Sequence, residues 1–144
     1  MQAVADRLAG IARLGGRIFG AARLETLRAS NQLGQAGPAA FVVPIGIRGG
    51  AADAVTGLFR QSVDRVVGVV LVDRHAGDPT GAKAVETIEP LIEAVIGRIA
   101  GWAPPYAIGD FRLLRGELVA MLAGGTLIYQ LDFAVEDQLR INSQ

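Results

Sequence analysis

The sequence contains no cysteine. Disulfides, thiolate catalysis and cysteine metal sites are excluded on that ground. Histidine occurs once, as His75, and serine only as Ser30, Ser62 and Ser143. None of the serines lies in a Gly-x-Ser-x-Gly elbow, where a strained turn would expose a nucleophile. Charge is also scarce. Charged residues make up 19% of the chain, against about 25% in an average soluble domain. The 14 basic and 14 acidic residues cancel to a formal net charge of +0, so there is no basic footprint for nucleic acid or anionic lipid. Long apolar runs are missing too. Residues 29–47 carry no charge but include Ser30, Asn31, Gln32, Gln35, Gly37 and Pro38, which does not make the roughly 20 mainly apolar residues of a membrane span. Met1–Ala12 holds Asp6 and Arg7 inside its apolar pattern and is not expected to act as a signal peptide.

What is present is apolar material in excess. The chain has 144 residues, 51% of them hydrophobic, and a mean hydropathy of +0.36. That length suffices for one core and predicts one domain over residues 1–144. A small domain this apolar has more greasy surface than one core needs. Cover by neighbouring subunits accounts for the surplus; poor solubility is the plainer account.

Val4, Leu8, Ile11 and Ala12 recur at helical spacing and predict an amphipathic first helix ended by Gly15-Gly16. A short strand over 17–21 and a short helix over 24–31 follow, then a turn cluster at 34–38. The run Ala40–Ile47 reads as a strand, and Pro44, which lacks an N–H, predicts an edge position or a bulge there. Residues 48–57, rich in Gly and Ala, read as a mobile loop. Residues 58–74 first alternate and then become continuously apolar from Val66 to Val72, as in a strand that starts half-exposed and ends buried on both faces. Residues 82–100 show one wide apolar stripe of Val85, Ile88, Leu91, Ile92, Val95, Ile96 and Ile99. Pro90 lies inside it and predicts a kink or a break. Two strands, 111–122 and 126–136, flank Ala123-Gly124-Gly125, whose glycines suit a tight hairpin. Residues 139–144 read as a polar tail. The sum is an α+β fold, a single-layer, mixed but mostly antiparallel sheet flanked by helices, in the order α-β-α-β-β-α-β-β. The helices are expected on one face.

Chemistry-bearing constellations are weak. Gly77–Lys83 has the composition of a phosphate loop but not its spacing, since Ala82 separates the second glycine from Lys83 and Ala84 follows. A glycine-rich turn with Thr80 as N-cap is the plainer account. Asp73, His75 and Asp78 could be drawn as metal ligands, but an iron centre of that type takes two imidazoles. Glu86, Glu89 and Glu93 share a helix face that reads as solvated or subunit-facing. Trp102 and Tyr106 read as a core cap or interface anchor, because interleaved basic residues for base stacking are missing. The arginines at 60, 65, 74, 112 and 115 suit either cross-subunit ion pairs or solvated charges guarding sheet edges. No catalytic, cofactor-binding or metal residue is assigned.

The order of motifs carries a resemblance. A first helix precedes Gly15-Gly16-Arg17-Ile18-Phe19-Gly20-Ala21-Ala22. Pro38–Pro44 follows, then a long strand with Gln61-Ser62-Val63 and Val66–Val72, then Gly101-Trp102-Ala103-Pro104, and a last hairpin with Asp132-Phe133. Over nearly the whole chain this resembles the phage tail terminator proteins of tailed phages and tail-like particles. The resemblance implies a structural virion protein and not an enzyme, with no cofactor. It implies a homo-oligomer, usually a hexameric ring, on the head-proximal end of the tail tube. The ring would end tube polymerisation and meet the tail tube protein on one side and a neck or head-completion protein on the other. Location would be the virion tail, after assembly in the host cytoplasm, with no membrane and no sequence-specific nucleic acid, although DNA would pass through the lumen. Candidate contacts to subunits or tube are the 48–57 segment with Arg48, and Arg60, Gln61, Asp64 and Arg65 at the start of the long strand. The alternatives are a head–tail connector, neck or other minor tail subunit, and a small enzyme or ligand-binding domain. The last would need a polar pocket with perturbed titratable groups.

Overall fold

The computed structural model of the chain describes residues 1–55, 57–77 and 82–142, except the side chains of 54 and 55. Helix α1 spans Gln2–Leu8 and a 3-10 turn spans Ala12–Leu14. Strand β1 is Ile18–Gly20, helix α2 is Ala21–Ala29, and strands β2 and β3 are Ala39–Val55 and Leu58–Arg74. Helix α3 (Ala82–Ile99) precedes β4 (Arg112–Leu122) and β5 (Thr126–Asn142). The element order matches the sequence reading, and the fold is α+β.

The strands form one five-stranded sheet in the order β1-β2-β3-β5-β4. Only β1–β2 is parallel; the other pairs are antiparallel. β3 is the spine. It pairs with β5 without a register shift from Leu58↔Asn142 to Arg74↔Thr126, and with β2 from Ala39↔Val72 to Val55↔Leu58. The hairpin β4–β5 turns on Gly124 (φ 88°) and Gly125 (φ 85°), a backbone region open mainly to glycine. The Gly125 carbonyl accepts the His75 N–H (3.0 Å), which ties the end of β3 to this turn.

Alternation sends Leu127, Leu131, Phe133 and Val135 of β5 to one face, beside Val67, Val69 and Leu71 of β3 and Ala40 and Val42 of β2. The stripe Ala84, Ile88, Leu91, Val95 and Ile99 of α3 packs there, with Val4, Leu8, Ile11 and Leu14 from the N-terminus. Burying one such side chain contributes about 1.5–3 kcal/mol. That explains why α3 runs unbroken through the exposed Pro90 instead of breaking. Apolar anchors on both sides of the proline hold the helix to the sheet and offset the lost backbone hydrogen bond.

Four other expectations need correction. The helices do not share a face: Leu24 and Leu27 of α2 pack with Leu33 on Phe41, Val70 and Val72, on the sheet's opposite side. The first helix does not reach Gly15. It stops at Leu8, and Leu14, not Ala12, completes the buried set. A side chain at Gly10 would meet the Arg98 guanidinium, which would have to move aside. The 48–57 segment is not a loop as far as it is described, because β2 continues to Val55 with Gly57 (φ 83°) in the turn beyond it. Residues 139–142 are not a tail but the end of β5, with Leu139 opposite Gln61 and Ile141 opposite Phe59. Thr80 and Asp78 lie outside the described residues. No helix among the described residues is long and apolar enough to cross a membrane.

The fold separates two kinds of apolar side chain. Phe133 is 0% exposed, whereas Leu118 on β4 is 51% exposed. Phe133→Ala is expected to destabilise by about 3–5 kcal/mol. Leu118→Ala in the lone subunit should stay within about 0.5 kcal/mol of the parent. Equilibrium urea unfolding of both variants measures the contrast.

Candidate functional site

Strands of 17 residues extend about 55 Å at 3.3 Å per residue. The apolar clusters do not follow them that far. They stop at Val67 on β3 and Val135 on β5. Beyond that level β2, β3 and β5 continue as a three-stranded arm, and every described β2 side chain from Pro44 to Asp53 is exposed.

All five candidate contact residues lie on this arm, but not on one face of it. Arg48 pairs in register with Asp64, and Arg60 with Asp53; the same alternation puts these on the face that α2 occupies farther along. Gln61 and Arg65 point to the α1/α3 face. Two irregularities in β2 shape the arm, between Pro44 and Gly46 and between Gly49 and Ala52. The bulge expected at Pro44 is present, and β1 pairs no farther than Val42, so the proline also sits on an open edge. At the second irregularity Gln61 Nε2 donates to the Gly50 carbonyl (3.3 Å). A side chain at Gly50 would press on the Ser62 carbonyl.

The α2-side face of the arm is polar. Arg112 Nη2 donates to Asp64 Oδ2 (2.7 Å), Ser62 Oγ bonds Glu136 Oε1 (3.1 Å), and Arg115 Nε donates to the buried Asp132 (3.3 Å). Arg112 and Arg115 thus bridge strands within the subunit. Near the arm's end the charges are not balanced. Arg60 stands opposite Arg140 in register, and its buried Nε has no hydrogen-bond partner. Arg140 Nε donates to Gln138 Oε1 (2.6 Å), a neutral acceptor. Like charges directly opposed across strands are destabilising. Arg48 and Asp53 form no ion pair among the described residues.

On the α1/α3 side the base of the arm carries an open groove of ≈ 610 Å³ lined by Met1, Pro44, Ile47, Arg65, Tyr106 and Asp137 among others. Its floor holds an ion pair, Arg65 Nε to Asp137 Oδ2 at 2.9 Å. Burial pushes the Asp137 carboxyl up. Hydrogen bonds from the Arg65 guanidinium and the Gln138 N–H, with the charge of Arg65, outweigh that and hold it below the usual carboxylate range. Burial raises the Tyr106 phenol, with the Arg65 charge pulling the other way. Apart from this pair and the Tyr106 phenol, the other described lining residues, Met1, Pro44, Ile45, Ile47, Val66 and Val67 among them, are apolar.

The remaining candidates separate cleanly. Trp102 is a core cap, stacked on Phe111 at 5.7 Å with the Arg7 guanidinium over its ring at 5.3 Å. Tyr106 stays 44% exposed at the groove. His75 Nε2 lies 3.2 Å from Asp73 Oδ2, and the Arg74 N–H holds the other Asp73 oxygen. Among the described residues no three His, Cys, Asp or Glu side chains gather as a metal site. Glu86, Glu89 and Glu93 lie exposed along α3.

Sequence reasoning placed the β4 strand but missed it as an exposed apolar surface. This strand pairs only with β5 among the described residues and exposes Leu113, Leu114, Leu118, Val119, Met121 and Leu122. The available signal was its lack of alternation, since apolar residues fall on both faces of a strand that no further element covers.

Because the folded Asp137 pKa lies below the ordinary Asp value of about 3.9, the pair's contribution is present above that pH. It is lost as pH falls through the depressed folded value. Asp137→Asn is expected to lower stability by about 1 kcal/mol or less at pH 7, given partial exposure of Arg65. The gap to the parent should close below about pH 4, as denaturant unfolding across a pH series would read. The family model described as "Phage tail terminator protein" matches residues 1–143. No curated protein matches the chain.

Proposed function

Because the chain belongs to the phage tail terminator protein family, we propose that it closes the head-proximal end of the tail tube as a ring of six subunits. A structural role in the tail follows from the family itself. The finer reading has the whole chain act as one domain, assembled in the host cytoplasm. One face of the ring seats on the last tube ring, the other receives a neck or head-completion protein, and the lumen passes DNA without reading its sequence. No catalysis and no cofactor enter this reading.

The observation that carries it is the bare β4 strand. Six large apolar side chains stay exposed on one 11-residue strand with an open edge. Among the described residues of one subunit no element covers them. Such an edge is a template for pairing with another chain, and a ring hides it in every copy at once. The arm supplies the second contact. Arg60 and Arg140 oppose one another at its end, and among the described residues neither is ion-paired, although Asp53 stands in register with Arg60, so an acidic group on the tube ring would relieve their repulsion. Termination then needs no chemistry. The outer face of the ring lacks the surface on which a further tube ring would seat, so growth stops.

Removing the protein from a producing strain should yield tubes of abnormal length that do not join heads, scored by negative-stain electron microscopy. A tag on the protein should mark the head-proximal end of the tube. Tubes of normal length joined to heads, or a tag placed solely in the neck, would refute termination by this chain.

A further inference from the structure

We infer that the ring closes by strand addition: β4 of one subunit pairs antiparallel with the open edge of the β2 arm of a second copy, in the register that sets Glu117 opposite Arg48. This rests on the ring reading above and names the surface that would build it.

The sheet has two free edges, and they are complementary. β4 offers 11 residues on its outer side. On the opposite border β1 covers β2 only from Ala40 to Val42, which leaves Val43–Val55 open. Within one subunit β4 runs antiparallel to β2, because each neighbour reverses direction across β2-β3-β5-β4. Rotation about an axis inclined to the strands, as in a closed barrel, brings β4 of one copy antiparallel against β2 of the next with the offset of about six residues that separates Glu117 from Arg48 along the strands. It also keeps the two faces of the sheet on their own sides. A heterologous join of this kind closes when the rotation divides the circle.

The side chains select one register. With Glu117 opposite Arg48, Arg112 falls opposite Asp53, and no like charges oppose each other. Leu118 then meets Ile47, and Leu122 meets Val43. Each pair lies on one face of the continued sheet. Glu117, Arg112 and Leu122 share the α2-side face with Arg48, Asp53 and Val43, while Leu118 and Ile47 share the other. The same register aligns the irregular stretches. The shifts of β4 between Leu113 and Arg115 and between Leu118 and Ala120 fall against those of β2 between Gly49 and Ala52 and between Pro44 and Gly46. Bulges that oppose each other let two bent edges follow one curve. Arg48 and Asp53, without ion pairs in the subunit, acquire partners. Leu118 reaches Ile47 at the rim of the groove that holds Met1 and Tyr106.

The test uses the absence of native cysteine. Directly opposed residues in an antiparallel pair bring their Cα atoms to about 4.5–5.5 Å, within disulfide range. Inside one subunit the same positions are separated by three strand spacings, roughly 14 Å across the sheet, and by six residues, about 20 Å along the strands. Full-length Ile47→Cys/Leu118→Cys protein, oxidised on tail tubes, should give a covalent ladder ending at the closed ring on non-reducing gels. Gly49→Cys/Leu118→Cys, out of register, should not. Arg48→Glu and Glu117→Arg alone should each weaken the subunit contact roughly tenfold or more, and the double reversal should restore it. Rings visible by electron microscopy without the 47–118 cross-link, or with no rescue by the double reversal, would overturn this edge pairing and leave the ring reading standing. Protein that forms no ring on tubes would overturn both.

Discussion

Everything in this molecule hangs on β3. It pairs with β5 along all 17 residues and with β2 from Leu58 to Val72, and its central stretch Val67–Val72 is buried on both faces. A strand enclosed in that way needs two sheet neighbours and a cover on each face. α3 with the N-terminal segment supplies one cover, and α2 with Leu33 supplies the other. Both covers end at about the level of Val67, yet the backbone pairing does not. The strands run on because hydrogen bonds along the ladder satisfy the backbone whether or not a helix lies above it. The arm is thus pairing without a core.

That division sets the chemistry of the exposed parts. Where helices cover the sheet, side chains are apolar and the buried Asp132 is held by Gln130 and Arg115. Where they do not, the sheet carries an ion pair on each side and an open groove on one of them. β4 departs from this order, since it is apolar and uncovered at once. A virion subunit that works by adhesion in a fixed geometry needs such a departure, and an enzyme would instead gather its exceptions in a cleft.

Periodicity made most of the fold legible. The α3 stripe, the change of pattern within β3 and the Gly124-Gly125 turn were strong local signals, and each element stands where they put it. The arm was misread because its outer strand is built from Gly49, Gly50, Ala51 and Ala52, which have low strand preference. Pairing with Gln61, Ser62 and their neighbours overrides that preference. The end of β5 was misread as a tail for the same reason, since only its partner β3 makes residues 139–142 a strand. The face taken by α2 was not legible at all. Leu24 and Leu27 mark an apolar side of that helix but not which side of the sheet it meets. For the candidate contacts, the structure places Arg48, Arg60, Gln61, Asp64 and Arg65 on one arm and splits them between its two faces. The apolar edge of β4 was hidden in plain composition, because a run of leucines reads equally as core until the neighbours are known.

An uncapped apolar border has a further meaning for supply. Copies made faster than tails can take them up still carry an open β4, and copies that join with the wrong twist never close on themselves. Mis-angled head-to-tail joins propagate as filaments. If the edges join as proposed, overproduction of this protein would be a physical hazard in its own right, since surplus copies would add to one another instead of to a tail.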